Sequence, residues 1–189
     1  MDKTLRQFDQ IMDQCQEIFL AKQADYGTSW RIFRPSSLTD QLYIKAKRLR
    51  TIEEQGLQKV DDPIDGEYMG LINYSILALI QSQLPVDAPL ELPLDRIKEL
   101  YLRERQVTRD LLARKNHDYG EVWRDLRLAS ITDLILAKLL RIRRIEDNQG
   151  QTVASEGVES NLRDIINYAV FALILLSEGA VNPINHTKA

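Results

Sequence analysis

One segment of the chain occurs twice, and this duplication limits the folds that the chain can adopt. Residues 22–55 align without a gap with residues 115–148, and 15 of the 34 aligned positions are identical. After a slip of one residue the alignment resumes, and the Asn-Tyr pair at 73–74 matches the pair at 167–168. Chance does not produce this agreement, so we predict two copies of one structural unit.

Each copy is predicted to contain three helices, because its apolar residues recur at a spacing of three to four. No alternation typical of a β-strand occurs. A loop over residues 24–35, or 117–128 in the second copy, is expected to carry Asp-Tyr-Gly and Trp. The expected helices are residues 4–22 and 94–114 for helix one, 37–56 and 130–150 for helix two, and 62–83 and 155–178 for helix three.

The ends of helix two carry recognisable signals in both copies. Ser37 and Ser130 each begin a Ser-x-Thr-Asp sequence, in which the serine is expected to cap the helix and the aspartate to lie in its first turn. Gly56 and Gly150 are expected to end it, since glycine is the usual residue just past a helix C-terminus.

Helix three is apolar on most sides in both copies, which is typical of a helix at the centre of a bundle. We therefore predict an all-α helical bundle, built from two tandem copies of a three-helix unit with pseudo-two-fold symmetry. The expected divisions are residues 1–84, a proline-rich linker at 85–93, residues 94–179 and a tail at 180–189, with both copies packed as one unit. The sequence leaves a homo-oligomer open.

Charge and composition exclude several classes of function. The net charge of -3 argues against binding along extended nucleic acid, which requires a basic excess. A single cysteine, Cys15, excludes an intrachain disulfide, and its apolar neighbours favour a buried bystander over a nucleophile. The polar N-terminus and the short apolar runs predict neither a signal peptide nor a membrane span, so a cytoplasmic protein is expected.

The sequence Asp-Tyr-Gly followed by Trp-Arg is the first candidate for chemistry. Aromatic and charged side chains on one loop are typical either of a site that stacks a ligand or of residues that plug the end of a bundle. Both interpretations stay open, because either role could be retained in two copies. The residues concerned are Asp25, Tyr26 and Trp30 in the first copy and Asp118, Tyr119 and Trp123 in the second.

Helix two carries a Lys-x-x-Arg pair in both copies. Lys45 and Arg48, like Lys138 and Arg141, are three residues apart and so share a helix face. Two cations on a face that continues into apolar residues would suit phosphate oxygens. The alternative is a solvated basic edge that pairs with Glu53 or Glu146.

Helix three of the second copy begins with polar residues ahead of its apolar run. Asp164 and Asn167 are three apart, and Glu159 comes about a turn earlier. A carboxylate close to the core needs a partner, which either a metal ion or the Lys-x-x-Arg pair could supply. Oxygen ligands would favour Mg²⁺ or Mn²⁺. The first copy has Asp65, Gly70 and Asn73 at the matching positions, so it lacks the inner aspartate.

Together, Lys-x-x-Asp-Tyr-Gly with Trp, Lys-x-x-Arg and Asp-x-x-Asn-Tyr resemble the nucleotide modification associated domain family, a helical domain of unknown function. Residues 115–168 carry the full pattern, and the first copy departs from it at Gly70. The last helix is also similar to that of MazG-like all-α nucleotide pyrophosphatases. Those enzymes hold Mg²⁺ with a Glu-x-x-Glu pair on one helix, whereas helix two here carries Lys-x-x-Arg.

The resemblance implies a nucleotide-binding protein, and the leading hypothesis is a Mg²⁺-dependent (deoxy)nucleoside triphosphate pyrophosphohydrolase. In this hypothesis Asp164, with Asp118 or Glu159, holds Mg²⁺ and activates water. The alternatives are a non-catalytic nucleotide-sensing or scaffold module and a purely structural helical protein. The residues assigned to substrate binding are Tyr119, Trp123, Lys138, Arg141 and Asn167 and, in the first copy, Asp25, Tyr26, Trp30, Lys45, Arg48 and Asn73.

Overall fold

A computed structural model describes residues 2–56, 63–152 and 156–179, and this part of the chain is helical with no β-strand. The predicted three helices per copy are confirmed. The first repeat comprises α1 (Asp2–Tyr26), a 3-10 turn (Ser29–Ile32), α2 (Pro35–Gln55) and α3 (Ile64–Gln83). The second comprises α4 (Leu94–Tyr119), a 3-10 turn (Val122–Asp125), α5 (Leu128–Asp147) and α6 (Val158–Ser177).

The first helix of each repeat is longer than predicted. It continues to Tyr26 in α1 and to Tyr119 in α4, so the Asp-Tyr pair of each copy is helical and does not lie in the loop. Nothing before the glycine disrupts the helix. Gly27 and Gly120 then take positive φ angles of 58° and 66°, which a side chain would disfavour, and the chain turns there.

The predicted caps of helix two are wrong at its start. α2 begins at Pro35, which suits the first turn of a helix, and α5 begins at Leu128, so Ser37 and Ser130 lie within the first turn. Neither helix has a side-chain cap hydrogen bond.

The other helix ends follow the sequence signals in part. Gly56 ends α2 in the left-handed conformation, as predicted. Gly150 also has a positive φ, of 81°, but it comes three residues after α5 has ended at Asp147. The predicted starts of helix three at residues 62 and 155 lie outside the described residues.

The core is centred on α3 and α6, which pack against each other as predicted. α2 packs on α3, α5 packs on α6, and α2 and α5 also contact each other, while α1 and α4 pair across one side. Burying each of these aliphatic side chains stabilises the fold by about 1.5–3 kcal/mol. The residues expected at the centre are all buried: Leu71, Ile72, Ile76, Leu77, Leu79 and Ile80, and Ile165, Ile166, Val170, Phe171, Leu173 and Ile174.

The contact between α2 and α5 shows the pseudo-two-fold relation in its hydrogen bonds. Thr39 donates to Glu146 over 2.7 Å, and the equivalent Thr132 donates to Glu53 over 2.7 Å. Thr and Asp of the Ser-x-Thr-Asp sequence therefore join the repeats, and Glu53 and Glu146 serve this contact. Two ion pairs repeat the arrangement: Arg143 with Asp40 at 2.6 Å, and Arg50 with Asp133 at 3.3 Å.

Within the described residues, no helix is long and apolar enough to cross a membrane.

Candidate functional site

A cavity of about 700 Å³ opens in the first repeat between the C-terminal end of α1, the 3-10 turn, α2 and α3. Aromatic side chains form much of its wall, and two lysines and an asparagine contribute its polar groups. The aromatic residues are Phe19, Tyr26, Trp30, Phe33 and Tyr74, and the polar groups include Lys22, Lys45 and Asn73.

The two lysines give the cavity its positive charge. Lys22 comes from α1 and is exposed, and no carboxylate of the described residues lies within ion-pair distance of it. Lys45 comes from α2, where its ammonium is 3.3 Å from Glu67 Oε2 and 5.8 Å from the centre of the Tyr74 ring. A small anion with an aromatic part would find complementary groups here.

Arg48, the partner of Lys45 in the Lys-x-x-Arg sequence, does not line the cavity. Its guanidinium forms an ion pair with Glu67, which is buried on α3 and also contacts Lys45. Asp25 is exposed at the end of α1 and does not line the cavity either. Of the Lys-x-x-Arg pair, Lys45 therefore lines the cavity, whereas Arg48 is joined to it through the Glu67 carboxylate.

Gly70 lies directly beneath Lys45. A Cβ atom at this position would be 2.7 Å from Lys45 Cε and 2.9 Å from Lys45 Nζ. The absence of a side chain lets the lysine lie across α3 and face the cavity.

Asn73 is fixed by hydrogen bonds on both sides of its amide. Its Nδ2 donates to the carbonyl of Cys15 over 3.0 Å, and its Oδ1 accepts from the Tyr101 hydroxyl over 3.1 Å. Cys15 is fully buried, and burial raises the pKa of its thiol to about 12, so it is not a nucleophile at neutral pH.

The two tryptophans are buried at the ends of their repeats. Trp30 donates from Nε1 to Gln23 over 2.8 Å and lines the cavity. Trp123 stacks on Phe171, with ring centres 4.1 Å apart and planes 5° apart, and Arg124 lies over the ring at 4.4 Å. Phe171 covers one face of the Trp123 ring and the Arg124 guanidinium covers the other. Trp123 therefore has no free face on which a nucleotide base could stack.

The second repeat has an ion cluster where the first has the cavity lysines and Gly70. Asp164 is only 4% exposed, and its two carboxylate oxygens accept separately from Lys115 over 2.5 Å and from Lys138 over 2.6 Å. Lys115 and Lys138 are the counterparts of Lys22 and Lys45, so one carboxylate bridges the two equivalent ammonium groups.

The structure does not bring the predicted carboxylates together. Asp118 is exposed and its carboxylate is 3.1 Å from His117, while Glu159 is exposed and lies 3.6 Å from Arg163. Asp164 faces two ammonium groups, which would repel a bound cation. No group of three or more metal-ligating side chains occurs among residues 2–56, 63–152 and 156–179. These residues do not fit a Mg²⁺ site.

A family model, described as nucleotide modification associated domain 1, matches the chain twice, over residues 22–82 and 115–176. These regions cover about two thirds of the chain. The chain belongs to this family. Comparisons with curated proteins and with solved structures gave no match, and similarity to MazG-like pyrophosphatases is not shown. The matches begin at Lys22, which lines the cavity, and at the equivalent Lys115.

The second nucleotide modification associated domain contains buried polar atoms without hydrogen-bond partners. Among the described residues, no hydrogen-bond partner is found for Asn167 Nδ2, Asn167 Oδ1 or the indole nitrogen of Trp123. Substitutions between the two domains account for Asn167 Oδ1 and for the indole nitrogen of Trp123. Phe8 is equivalent to Tyr101, whose hydroxyl donates to Asn73, so Asn167 has no hydroxyl donor at this position. Asn116 is equivalent to Gln23, which accepts from the Trp30 indole, and its side chain is shorter.

The remaining predicted residues are exposed or held in ion pairs. Tyr119 is 75% exposed and Tyr26 is 69% exposed, so both tyrosines have free ring surface. Arg141 is exposed close to Tyr168, whose pKa is raised by burial and, less strongly, by Asp164. Lys138 is held by Asp164.

Three charged residues of the cavity and of the equivalent ion cluster were not predicted as site residues from the sequence: Lys22, Lys115 and Glu67. Lys22 and Lys115 are identical in the two copies and begin the family motif, so that identity was the available signal. Glu67 aligns with Asn161, one helical turn before Gly70 and Asp164. The alignment shows that the position of the carboxylate differs between the two domains, but it does not show which cation Glu67 contacts.

Proposed function

We propose that the protein is a non-catalytic nucleotide-binding module and that the nucleotide occupies the cavity of the first repeat. The observation that carries the proposal is one cavity with an aromatic wall and two lysines, Lys22 and Lys45. The family description, which associates the domain with nucleotide modification, supports a nucleotide over other aromatic anions.

The size and chemistry of the cavity match this ligand. Its volume of about 700 Å³ is within the range of small-molecule sites, roughly 300–1,000 Å³. A base would stack on the aromatic wall, with the exposed ring of Tyr26 at the rim, and stacking on an aromatic side chain contributes about 1–3 kcal/mol per base. The lysines would hold the phosphate as point charges.

The groups that hydrolysis would require are not assembled at this cavity. Among the described residues, the carboxylate that pairs with a lysine of the cavity is Glu67, which contacts both Lys45 and Arg48. Pyrophosphate release by metal-bound water would need carboxylates free to hold the metal and orient the water. We therefore propose binding without turnover, as in a nucleotide-sensing module.

Isothermal titration of ribo- and deoxynucleoside mono-, di- and triphosphates tests the proposal. We expect saturable binding by the wild-type protein and roughly ten- to hundred-fold weaker binding by Lys45→Ala, the loss expected for one charge-assisted hydrogen bond. Lys47→Ala is the matched control, because Lys47 is exposed on the same helix and does not line the cavity. Equal weakening by both variants, or no binding of any nucleotide, would contradict the proposal.

A separate assay addresses turnover. The nucleotides that bind are incubated with the protein and Mg²⁺ or Mn²⁺, and released pyrophosphate is measured. We expect none above the level without protein. Release that disappears in Asp164→Asn would instead support the pyrophosphohydrolase hypothesis and place the reaction in the second repeat.

A further inference from the structure

The two repeats place the same pair of cations at equivalent positions but differ in the anion between them. Lys22 and Lys45 of the first repeat correspond to Lys115 and Lys138 of the second. The second repeat has the Asp164 carboxylate between its lysines, whereas the first has Gly70, which has no side chain.

The Asp164 carboxylate shows what these lysines are arranged to bind. Each of its oxygens takes one ammonium, at 2.5 Å and 2.6 Å, and the carboxylate itself is almost completely buried. Two nitrogen donors that converge on two oxygens of one anion are the arrangement that a phosphate group would also satisfy.

The first repeat retains the two lysines and has no side chain at the position equivalent to Asp164, where the flexible end of Lys45 lies instead. Lys45 Nζ lies 2.9 Å from where a Cβ of residue 70 would be, so the ammonium is already beside the position that Asp164 occupies in the second repeat. Lys22, Lys45 and Gly70 all line the same cavity. Glu67 approaches Lys45 from one helical turn away and leaves Lys22 without a carboxylate among the described residues.

The second repeat has no counterpart of Glu67. Asn161 takes that position, and its amide donates to the carbonyl of Gly157 at the start of its own helix over 2.9 Å. The carboxylate therefore lies one helical turn earlier in the first repeat than in the second. Glu67 contacts only Lys45 of the lysine pair, whereas Asp164 contacts both lysines of its repeat.

We infer that a phosphate group binds in the first repeat between Lys22 and Lys45 above Gly70, in the place that the Asp164 carboxylate occupies in the second repeat. In the second repeat the Asp164 side chain already occupies the equivalent place between Lys115 and Lys138, so the chain has one anion site. This inference rests on the proposed nucleotide site and specifies where the phosphate lies and why only one repeat binds it.

The test exchanges the two residues and counts sites by isothermal titration with inorganic pyrophosphate and with AMP. We expect one site in the wild-type protein and at least a hundred-fold weaker binding in Gly70→Asp, because the new carboxylate takes both lysines. Gly70→Ala controls for bulk alone, and we expect at most tenfold weakening, since the flexible end of Lys45 can move aside. Asp164→Ala is expected to bind two pyrophosphates per chain.

Asp164→Ser provides an independent route if Gly70→Asp or Asp164→Ala fails to fold, because it removes the charge and shortens the side chain but keeps a polar group beside the lysines. It too is expected to gain a second anion site. Unchanged affinity in folded Gly70→Asp, or a single site in both Asp164 variants, would overturn the inference. If folded Gly70→Asp binds AMP with wild-type affinity, the proposed function stands while the phosphate position is wrong. If the wild-type protein binds neither probe, both are wrong.

Discussion

At the scale of single residues, Trp30 and Trp123 show that identical side chains in a repeat can have different tasks. Phe171, which stacks on Trp123, aligns with Leu77 of the first repeat, and Leu77 lines the cavity with Trp30. One substitution on the third helix thus separates a closed aromatic stack from an open aromatic wall. Arg124 completes the closure on the other face of Trp123.

We expect Trp123→Ala to lower the free energy of unfolding by about 3–5 kcal/mol, the usual cost of removing a large buried aromatic side chain. Nucleotide binding at the first repeat should stay within a few-fold of wild type, because Trp123 does not line that cavity. Urea unfolding followed by circular dichroism measures the first quantity, and titration measures the second.

Trp30→Ala is the matched variant in the other repeat. It should lose nucleotide binding as well as stability, since Trp30 lines the cavity. A Trp123→Ala protein that unfolds like wild type but no longer binds nucleotide would show that the second indole stacks the ligand after all.

Recurrence between the two copies is the sequence signal that led to residues of the cavity, although it did not lead to Lys22. Lys45, Tyr26, Trp30 and Asn73 were identified from the repeat and line the cavity. Glu67 was not, because its role depends on which helix of the same repeat faces α2, and helical spacing along one segment does not give that information. The stacking of Trp123 on Phe171 was not predictable for the same reason, because it joins residues of different elements.

At the scale of the elements, the contact between α2 and α5 contains two half-buried acceptors, Glu53 and Glu146. Burial is the largest cause that raises the pKa of Glu53 and of Glu146 above the ordinary value of 4.5, and the hydrogen bonds from Thr132 and Thr39 oppose it only in part. The folded state therefore holds these protons more tightly than the unfolded state. This contribution to stability is fully present below the unfolded pKa and is lost as pH rises through the folded pKa.

Replacing both residues, in Glu53→Gln with Glu146→Gln, keeps an acceptor for each threonine and removes the ionisation. We expect the double variant to melt at a higher temperature than wild type at pH 7. The difference should shrink as pH falls towards and below 4.5, where the wild-type carboxyls become protonated. Melting curves by circular dichroism between pH 4 and pH 8 measure it.

Glu121→Gln is the control with the opposite sign. The hydrogen bond from Thr4 and the nearby Arg124 hold the pKa of Glu121 below its ordinary value, so its stabilisation is present above the unfolded pKa and is lost as pH falls. This variant should be less stable than wild type at pH 7, with the loss fading in acid. If both variants shifted stability in the same direction at pH 7, burial would not govern Glu53 and Glu146.

The elements also show where sequence signals for helix ends succeed. Gly56 ends α2 as predicted, because only the left-handed conformation closes that helix and glycine adopts it readily. The Ser-x-Thr-Asp sequence led to a wrong helix cap, because the same pattern is compatible with two different structural roles. A threonine and an aspartate near a helix start can serve that helix, or, as Thr39 and Asp40 do, cross to the other repeat.

At the scale of the whole molecule, the two repeats complete each other. The apolar faces of α3 and α6 are buried by one another and, to a similar extent, by α2 and α5. Contacts between unlike residues also join the repeats. Arg109 of α4 binds both carboxylate oxygens of Asp9 on α1, at 2.8 Å and 2.9 Å, and Arg105 binds Asp13 at 2.6 Å. None of these four residues is the same at the equivalent position of the other repeat.

These contacts predict that the halves recognise each other in preference to themselves. The break between them belongs after Pro93, because Thr28 of the first repeat donates to the Leu90 carbonyl over 2.5 Å and accepts from the Leu92 amide over 3.1 Å. Fragments 1–93 and 94–189 should each self-associate when alone, as the exposed third helix requires cover. Mixed in equal amounts, they should form a 1:1 complex that melts cooperatively near the temperature of the intact chain.

Light scattering after size exclusion measures the mass of each species, and a charge reversal supplies the matched control. Asp9→Arg in the first fragment should weaken the mixed complex, and Arg109→Asp in the second should restore it in part, because the ion pair is then formed in the opposite sense. The symmetric contacts of α2 with α5 would also form in a dimer of identical halves, so they cannot enforce this choice. If the separate fragments remain as stable homodimers that do not exchange on mixing, those symmetric contacts dominate the association, and the unlike ion pairs of α1 and α4 contribute little to it.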